Sequence, residues 1–262
     1  MKIHDFKLKK TQQTKIAMLT CYDYPSACIV ADSNLDCVLV GDSVAMTVHG
    51  HESTIMATME MMVLHTSAVA RGLRNHFLIS DLPFLAYRGS TKDIINNVKQ
   101  LFQAGTHAIK MEGADEILCQ TISSLTAAGI PVMGHIGLTP QFIHQLGGYI
   151  IQGKEQEQSA LLLQQARRLE AAGCFAIVIE CVPQHVAKTI TEALLIPTIG
   201  IGAGAHTDGQ VLVWHDLLGL QTQFKPKFIK QYVQSKNALL SAINAYVEDV
   251  QHLHFPALEH VF

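Results

Sequence analysis

Short apolar runs alternate with longer amphipathic stretches along most of the chain, and this alternation predicts strands and helices in regular succession. Eight apolar runs have the length of strands, at 16–22, 37–40, 77–80, 107–111, 131–134, 175–179, 197–201 and 211–214. Helical patterns lie between or after them, at 26–32, 59–71, 90–104, 114–128, 155–172, 184–194 and 228–250. Near-continuous apolar strands joined by helices are typical of a parallel sheet that is covered on both faces. The pattern therefore predicts a (β/α)8 TIM barrel, with a doubly wound open sheet as the alternative.

Glycines and long polar segments indicate where the elements end. We expect Gly72 to end the Met-rich helix at 59–71 as its C-cap. A polar excursion, 44–58, follows the second predicted strand. The glycine-rich segment 137–153 follows the fifth strand and is too long for an ordinary connection, so we interpret it as a candidate lid.

The size of the chain fits one barrel. Its 262 residues match the ~250 residues of a typical α/β barrel. We therefore predict a single domain over 1–262, with a short polar N-terminal segment and a C-terminal tail. A hydrophobic content of 48% with only 16% charged residues indicates a large core and is consistent with subunit contacts in a homo-oligomer.

Charge and hydropathy exclude several kinds of partner. The net charge is -3 and no basic block occurs, so we expect no nucleic-acid binding through a charged patch. Segment 1–15 lacks the apolar core of a secretory signal, and no apolar run is long enough to cross a membrane. The six cysteines contain no C-x-x-C pair, which favours reduced, buried thiols. We expect a soluble cytoplasmic protein that acts on small molecules.

Four predicted strands deliver a carboxylate at their C-terminal ends: Asp42, Asp81, Glu112 and Glu180. A single acid at such a position is most simply a helix cap or a salt-bridge partner. Four equivalent positions instead favour one shared site, because working groups lie beyond the C-terminal strand ends in both candidate folds. Asp42, Asp81 and Glu112 come from three successive strands, which are neighbours in a barrel. Hard oxygen donors of this kind suit Mg²⁺.

Other polar residues near these strand ends have two readings each. Lys110 lies two residues before Glu112 and shares its face of the strand. It could bind a substrate carboxylate, with Ser43 as a second donor, or form a structural ion pair. Glu180 lies across the barrel and is a candidate general base, whereas His135 could bind ligand or be a satisfied core histidine.

Two further patterns carry weak signals. His49 and His51 lie on a loop and are more readily explained as solvated side chains than as zinc ligands. The run at 200–205 nominally fits a dinucleotide-binding fingerprint, but it comes late in the chain and lacks the following acidic residue. We interpret this run as a glycine turn.

Several motifs, taken together, resemble the ketopantoate hydroxymethyltransferase family. They are TCYD at 20–23, VGDS at 40–43, DLPF at 81–84, KMEG at 110–113, GHIGLTPQ at 134–141, ECVP at 180–183 and IGIGAG at 199–204. The resemblance runs in order from about 16 to 232. It implies a Mg²⁺-dependent (β/α)8 barrel that transfers a one-carbon unit from 5,10-methylenetetrahydrofolate to 3-methyl-2-oxobutanoate, giving 2-dehydropantoate in pantothenate biosynthesis.

The resemblance also assigns roles to individual residues. It places metal ligands at Asp42 and Asp81, with Glu112 as the third acidic position. The same two aspartates contact the substrate, and Ser43 and Lys110 hold the ketoacid carboxylate. Glu180 matches the proton acceptor, and family members form homo-oligomers that are typically decamers.

One departure and two alternatives accompany this interpretation. Ile150 stands where a loop of the family usually carries a lysine, which changes the charge of that loop. One alternative is another Mg²⁺ barrel lyase or mutase acting on 2-oxo acids, like the isocitrate lyase and phosphoenolpyruvate mutase group, although their K-x-C-G-H signature is absent. The other is a metabolite-binding barrel without catalysis, which would not need Glu180.

Overall fold

The computed structural model describes residues 1–221 and 226–262 and contains a closed barrel of eight parallel strands. Each strand pairs with the next, and the last pairs with the first through Ile16 and Gly209. The strands are β1 Ile16–Thr20, β2 Cys37–Val40, β3 Phe77–Asp81, β4 Ala108–Glu112, β5 Val132–Gly137, β6 Ala176–Glu180, β7 Thr198–Ile201 and β8 Gly209–Leu212. The predicted (β/α)8 TIM barrel is therefore confirmed.

The helices of the described chain mostly follow the strands, as the sequence predicts. They are α1 Ile3–Thr11, α2 Tyr24–Ala31, α3 Val44–Thr47, α4 Met59–Gly72, α5 Thr91–Gln103, α6 Glu116–Ala127, α7 Ile143–Leu146, α8 Gln156–Ala171, α9 Gln184–Ala193, α10 Trp214–Leu217 and α11 Ser235–Gln251. Short 3₁₀ turns occur at Thr54–Met56, Pro140–Phe142 and Leu258–His260. No helix in the described ranges has both the length and the apolar content needed to cross a membrane.

The described residues form two compact units. The first, Met1–Leu212, contains the barrel, and the second, Val213–Phe262, contains α10 and α11. The long C-terminal helix begins at Ser235, seven positions after the predicted start at 228. A single domain over 1–262 stays a prediction.

The lower part of the barrel is filled by apolar side chains that point inward from alternate strand positions. This cluster contains Ile16, Met18, Cys37, Leu39, Phe77, Ile79, Ala108, Met133, Ala176, Val178, Ile199 and Val211. Phe6 of α1 joins the cluster and is fully buried, with ring centroids 5.3 Å from Phe77 and 4.9 Å from Phe175. Phe77 begins β3, and Phe175 immediately precedes β6, so both lie at the N-terminal end of the barrel. Segment 1–15, which we expected to be only polar, therefore contains a helix that closes the bottom of the barrel through Phe6.

Gly72 has a different role from the predicted one. Its φ is not in the left-handed region, and it is the last residue of α4 rather than a C-cap beyond it. A Cβ at this position would lie 2.6 Å from the Ala27 Cβ and 2.8 Å from the Tyr24 backbone oxygen. The glycine therefore permits close contact between α4 and α2, and the C-cap prediction is wrong.

The fifth strand is longer than the sequence predicts. It extends to Gly137 instead of ending at Gly134, so His135 lies inside the strand. Gly134 does not end the strand because its missing side chain makes room for α8: a Cβ there would lie 2.7 Å from the Leu169 Cδ1. The following segment, expected to be one long loop, contains a 3₁₀ turn and the short helix α7.

Candidate active site

A layer of acidic and other polar side chains, here called the acid layer, lies directly above the apolar interior of the barrel. The inward series of β3 (Phe77, Ile79) continues to Asp81, and that of β4 continues from Ala108 to Lys110 and Glu112. His135 of β5 and Glu180 of β6 follow the same alternation. The strand ends therefore converge at one mouth, as the sequence predicts.

Asp42 and Asp81 meet at this mouth from neighbouring strands. The backbone N–H of Asp42 donates to Asp81 Oδ2 at 3.0 Å, and both side chains are buried. A Cβ at Gly41 would lie 2.8 Å from Ser43 Oγ and 3.5 Å from Asp81 Oδ2. The glycine before Asp42 therefore allows the chain to turn closely around the two aspartates.

Lys110 forms an ion pair inside this acid layer. Its Nζ lies 2.9 Å from Asp81 Oδ1 and 3.9 Å from Glu112 Oε1, and its side chain is only 5% exposed. Burial disfavours the charged amine, but the carboxylates of Asp81, Glu112 and Asp42 outweigh it and raise the pKa of Lys110 above its usual value. The structural ion pair that the sequence left open is present, and it does not exclude contact with a substrate.

His135 bridges two acids from different strands. Its Nδ1 lies 3.2 Å from Glu112 Oε1, and its Nε2 lies 3.3 Å from Glu180 Oε2. Burial and the nearby Lys110 disfavour the charged ring, but Glu112 and Glu180 outweigh them and raise the pKa of His135 to about 9. His135 is therefore part of the acid layer, with one ring nitrogen close to Glu112 and the other close to Glu180.

Gln141 also belongs to this site, although the sequence analysis assigned no role to it. It is buried at 2% exposure, and its backbone N–H donates to Glu112 Oε2 at 3.0 Å. Its side-chain Nε2 donates to Asp42 Oδ2 at 2.8 Å. The Tyr87 hydroxyl donates to Gln141 Oε1 at 2.7 Å. A neutral residue in a 3₁₀ turn carries no charge signal, and only its place in the 134–141 motif could have indicated it.

Ser43 and Tyr149 border the layer from two connecting segments. Ser43 Oγ and the buried Tyr22 hydroxyl are 2.7 Å apart. The Tyr149 hydroxyl lies 3.6 Å from Met46 Sδ, and partial burial with the nearby Glu180 raises the pKa of this tyrosine. Ile150, next to it, is half exposed, so a lysine at this position would also lie at the surface. The action of 137–153 as a lid stays a prediction.

The layer carries more negative charge than its own cations balance. Four carboxylates, on Asp42, Asp81, Glu112 and Glu180, accompany one lysine and one histidine. Burial and the neighbouring Asp81 and Glu112 raise the pKa of Asp42 well above its usual value. Burial likewise raises the pKa of Asp81, although Lys110 opposes the shift. Hard oxygen donors with surplus negative charge suit a divalent cation.

The arrangement does not by itself form a finished metal site. In residues 1–221 and 226–262, no three His, Cys, Asp or Glu side chains are placed to hold an ion together. Within the same ranges, however, Asp42 Oδ1 has no hydrogen bond or ion pair, whereas the second oxygen of that residue binds Gln141. Assignment of Asp42, Asp81 and Glu112 as metal ligands stays a prediction, and the donor set is compatible with it.

The loop histidine His49 is exposed but not simply solvated. Its Nε2 lies 2.9 Å from Nε2 of the buried His65, whose Nδ1 lies 2.6 Å from the Tyr22 backbone oxygen. A pair of histidines without a third ligand does not make a zinc site.

At 200–205, Gly202 and Gly204 have φ values of 64° and 79°, which agrees with the predicted glycine turn.

Comparisons with known proteins connect this geometry to one family. The family model for ketopantoate hydroxymethyltransferase matches residues 1–258. The chain belongs to the ketopantoate hydroxymethyltransferase family. It is 70% identical to 3-methyl-2-oxobutanoate hydroxymethyltransferase of Legionella pneumophila (strain Philadelphia 1), over 100% of both chains. It is 48% identical to the enzyme of the same name from Coxiella burnetii (strain Dugway 5J108-111), over 99% of this chain and 97% of the relative. As a member of this family the chain is a hydroxymethyltransferase, and the enzyme class predicted by resemblance is confirmed.

Solved structures outside the ketopantoate hydroxymethyltransferase family share the barrel at low identity. Phosphonopyruvate hydrolase, solved with oxalate and Mg²⁺, is 12% identical with a TM-score of 0.63, covering 99% of this chain and 93% of that chain. The 2,3-dimethylmalate lyase, a member of the PEP mutase/isocitrate lyase superfamily, is 16% identical with a TM-score of 0.58, covering 99% and 90%. At these identities the likeness concerns the fold alone.

Proposed function

We propose that the chain transfers a hydroxymethyl group from 5,10-methylenetetrahydrofolate to 3-methyl-2-oxobutanoate, producing 2-dehydropantoate for pantothenate biosynthesis. This proposal is supported by the acid layer at the barrel mouth, together with the membership of the chain in the ketopantoate hydroxymethyltransferase family. In that layer His135 lies between Glu180 and Glu112, Lys110 pairs with Asp81, and the backbone of Asp42 contacts Asp81.

Asp42 and Asp81 would hold Mg²⁺, with Glu112 as the third acidic residue. The surplus negative charge and the uncommitted Asp42 Oδ1 support this assignment. Both Glu112 oxygens already have partners, in His135 and the Gln141 N–H, so Glu112 would be less available to the ion than Asp42. A bound Mg²⁺ would supply positive charge that polarises the 2-oxo group of the substrate.

Lys110 and Ser43 would receive the ketoacid carboxylate. An ammonium group has three N–H donors, and Asp81 occupies the strongest contact of Lys110 at 2.9 Å. Ser43 Oγ lies 2.7 Å from the Tyr22 hydroxyl, and with Tyr22 as the donor of this pair the Ser43 hydroxyl keeps its hydrogen for the substrate. The carboxylate would then lie on the Lys110 side of the layer and direct C3 towards Glu180.

Glu180 would remove the C3 proton. Its side chain is 18% exposed, which leaves room for a substrate, and His135 Nε2 at 3.3 Å orients the carboxylate. A positioned base of this kind contributes roughly 10²- to 10⁴-fold in rate. The enolate carbon forms the new C–C bond to the methylene carbon, both C–N bonds of that carbon break, and one water oxygen becomes its hydroxyl group. The proton taken from C3 and one proton of the water replace these bonds on the two nitrogens of tetrahydrofolate, which leaves.

Product formation with and without folate tests this function. The purified chain is incubated with 3-methyl-2-oxobutanoate, Mg²⁺ and 5,10-methylenetetrahydrofolate, and 2-dehydropantoate is measured by mass spectrometry. We expect product only when all three are present. Turnover of a 2-oxo acid without folate would favour a lyase or mutase, and binding without turnover would favour a non-catalytic barrel. A cytoplasmic location and a homo-oligomeric, decameric state stay predictions.

A further inference from the structure

We propose that Gln141 is a positioning residue that holds Asp42 and Glu112 in the arrangement that a divalent cation requires. This inference rests on the proposed function, because it concerns the same acid layer. Gln141 reaches both acids at once, through its side chain to Asp42 at 2.8 Å and through its backbone N–H to Glu112 at 3.0 Å. One residue from the β5–α7 connection therefore ties together acids from β2 and β4.

The orientation of the Gln141 carboxamide is fixed from two sides. Nε2 donates to the Leu82 backbone oxygen at 3.0 Å, which can only accept. Oε1 accepts from the Tyr87 hydroxyl at 2.7 Å. A flipped amide would place an oxygen against the Leu82 oxygen, so the second N–H of Nε2 must point at Asp42. All of these groups are buried.

A neutral donor suits this position better than a charged one. By binding Asp42 Oδ2, the Gln141 amide fixes the carboxylate plane and leaves Oδ1 free without neutralising the charge. A lysine here would pair with Asp42 and compete with the cation, and a glutamate would add another carboxylate to a layer that already has surplus negative charge. The amide therefore orients a metal ligand while preserving its affinity for a cation.

The experiment measures Mn²⁺ binding to the intact protein by electron paramagnetic resonance of the free ion, without any substrate. Loss of a partner that orients a metal ligand typically lowers affinity by about 10- to 100-fold. We expect Gln141→Met to weaken Mn²⁺ binding within that range, and Tyr87→Phe to weaken it by less, because the amide keeps its contact with the Leu82 oxygen and loses only one of the two partners that fix its orientation. Gln145→Met, at an exposed glutamine four positions on, is the matched control and should bind Mn²⁺ like the wild type.

Steady-state kinetics and thermal melting complete the test. For Gln141→Met we expect a raised Mg²⁺ requirement and a raised ketoacid KM, with a smaller change in kcat at saturating Mg²⁺. A purely structural role would lower the melting temperature and leave Mn²⁺ affinity unchanged in the folded fraction, which would overturn the proposal. If Gln141→Met does not fold, Tyr87→Phe decides: unchanged Mn²⁺ affinity in that variant overturns the proposal as well. Absence of Mn²⁺ binding in the wild type would instead contradict the proposed function.

Discussion

The backbone amide of Asp42 donates a 3.0 Å hydrogen bond to Asp81 Oδ2, so two buried acids that are 39 residues apart in sequence are in direct contact. The amide stabilises one carboxylate oxygen, and Lys110 stabilises the other at 2.9 Å. Lys110 also lowers the pKa of Asp42, but the hydrogen bond that the Asp42 side chain accepts comes from the neutral amide of Gln141. The two aspartates therefore have different electrostatic roles, and mutation of each should have a different effect.

Asp42→Asn should stabilise the metal-free protein and remove divalent-cation binding. In the absence of metal, burial and the neighbouring acids make the charged Asp42 unfavourable, as its raised pKa indicates. Asparagine keeps an oxygen for Gln141 but removes the charge. We expect a melting temperature in EDTA that rises by about 2 °C or more, which corresponds to roughly 1 kcal/mol for a chain of this size. Scanning calorimetry measures the shift, and a lower melting temperature would contradict the electrostatic account.

Lys110→Met should destabilise the fold strongly. The substitution keeps the length of the buried side chain but leaves Asp81 without its cation. Removal of one partner from a buried ion pair costs about 3–5 kcal/mol. Urea unfolding at neutral pH measures the loss, with Lys154→Met, at an exposed lysine, as the control. Equal stability of the two variants would show that the Lys110 ion pair is dispensable.

Phe6→Ala should open the lower end of the barrel. Phe6 is fully buried against Phe77 and Phe175, and truncation of a buried phenylalanine costs about 3–5 kcal/mol. Ile3→Ala, on the same helix but 40% exposed, provides the comparison and should have a much smaller effect. Thermal melting of both variants measures the difference. A negligible effect of Phe6→Ala would mean that α1 does not contribute to the core.

Gly72→Ala should destabilise the protein even though alanine favours helices. Its Cβ would lie 2.6 Å from the Ala27 Cβ, so α2 and α4 would have to separate at a cost of about 1–3 kcal/mol. Gly89→Ala is the control, because a Cβ there meets only Asp93, at 3.7 Å. Denaturant midpoints compare the two substitutions. A stabilising effect of Gly72→Ala would show that the helix contact readily adjusts.

The strands and the acid layer could be predicted from the sequence because both depend on local pattern. Apolar runs locate β2 and β3 within one residue of their observed ends, and the alternation of side chains in β4 places Lys110 and Glu112 on one face. The observed contacts of these two residues with the same acid layer confirm that alternation. Convergence of the strand ends then follows from closure of the barrel.

The features that the sequence did not indicate depend on packing between distant segments. Gly134 resembles a strand end, yet it lies within β5 because Leu169 of α8 fills the space of its absent side chain. Likewise, Gly72 resembles a helix cap but serves a contact with α2. Gln141 and Tyr87 are neutral, and their partnership spans 54 residues. Only the folded barrel brings such residues together.

Exchange of the C3 proton of 3-methyl-2-oxobutanoate in D₂O tests the central claim most directly. Proton NMR follows the methine signal with Mg²⁺ and without folate, in the wild type, in Glu180→Gln and in the exposed control Glu157→Gln. We predict exchange in the wild type and the control, and none above background in Glu180→Gln, which should still bind the ketoacid in a calorimetric titration. Exchange at the wild-type rate in Glu180→Gln would contradict the assignment of Glu180 as the base that acts at the barrel mouth.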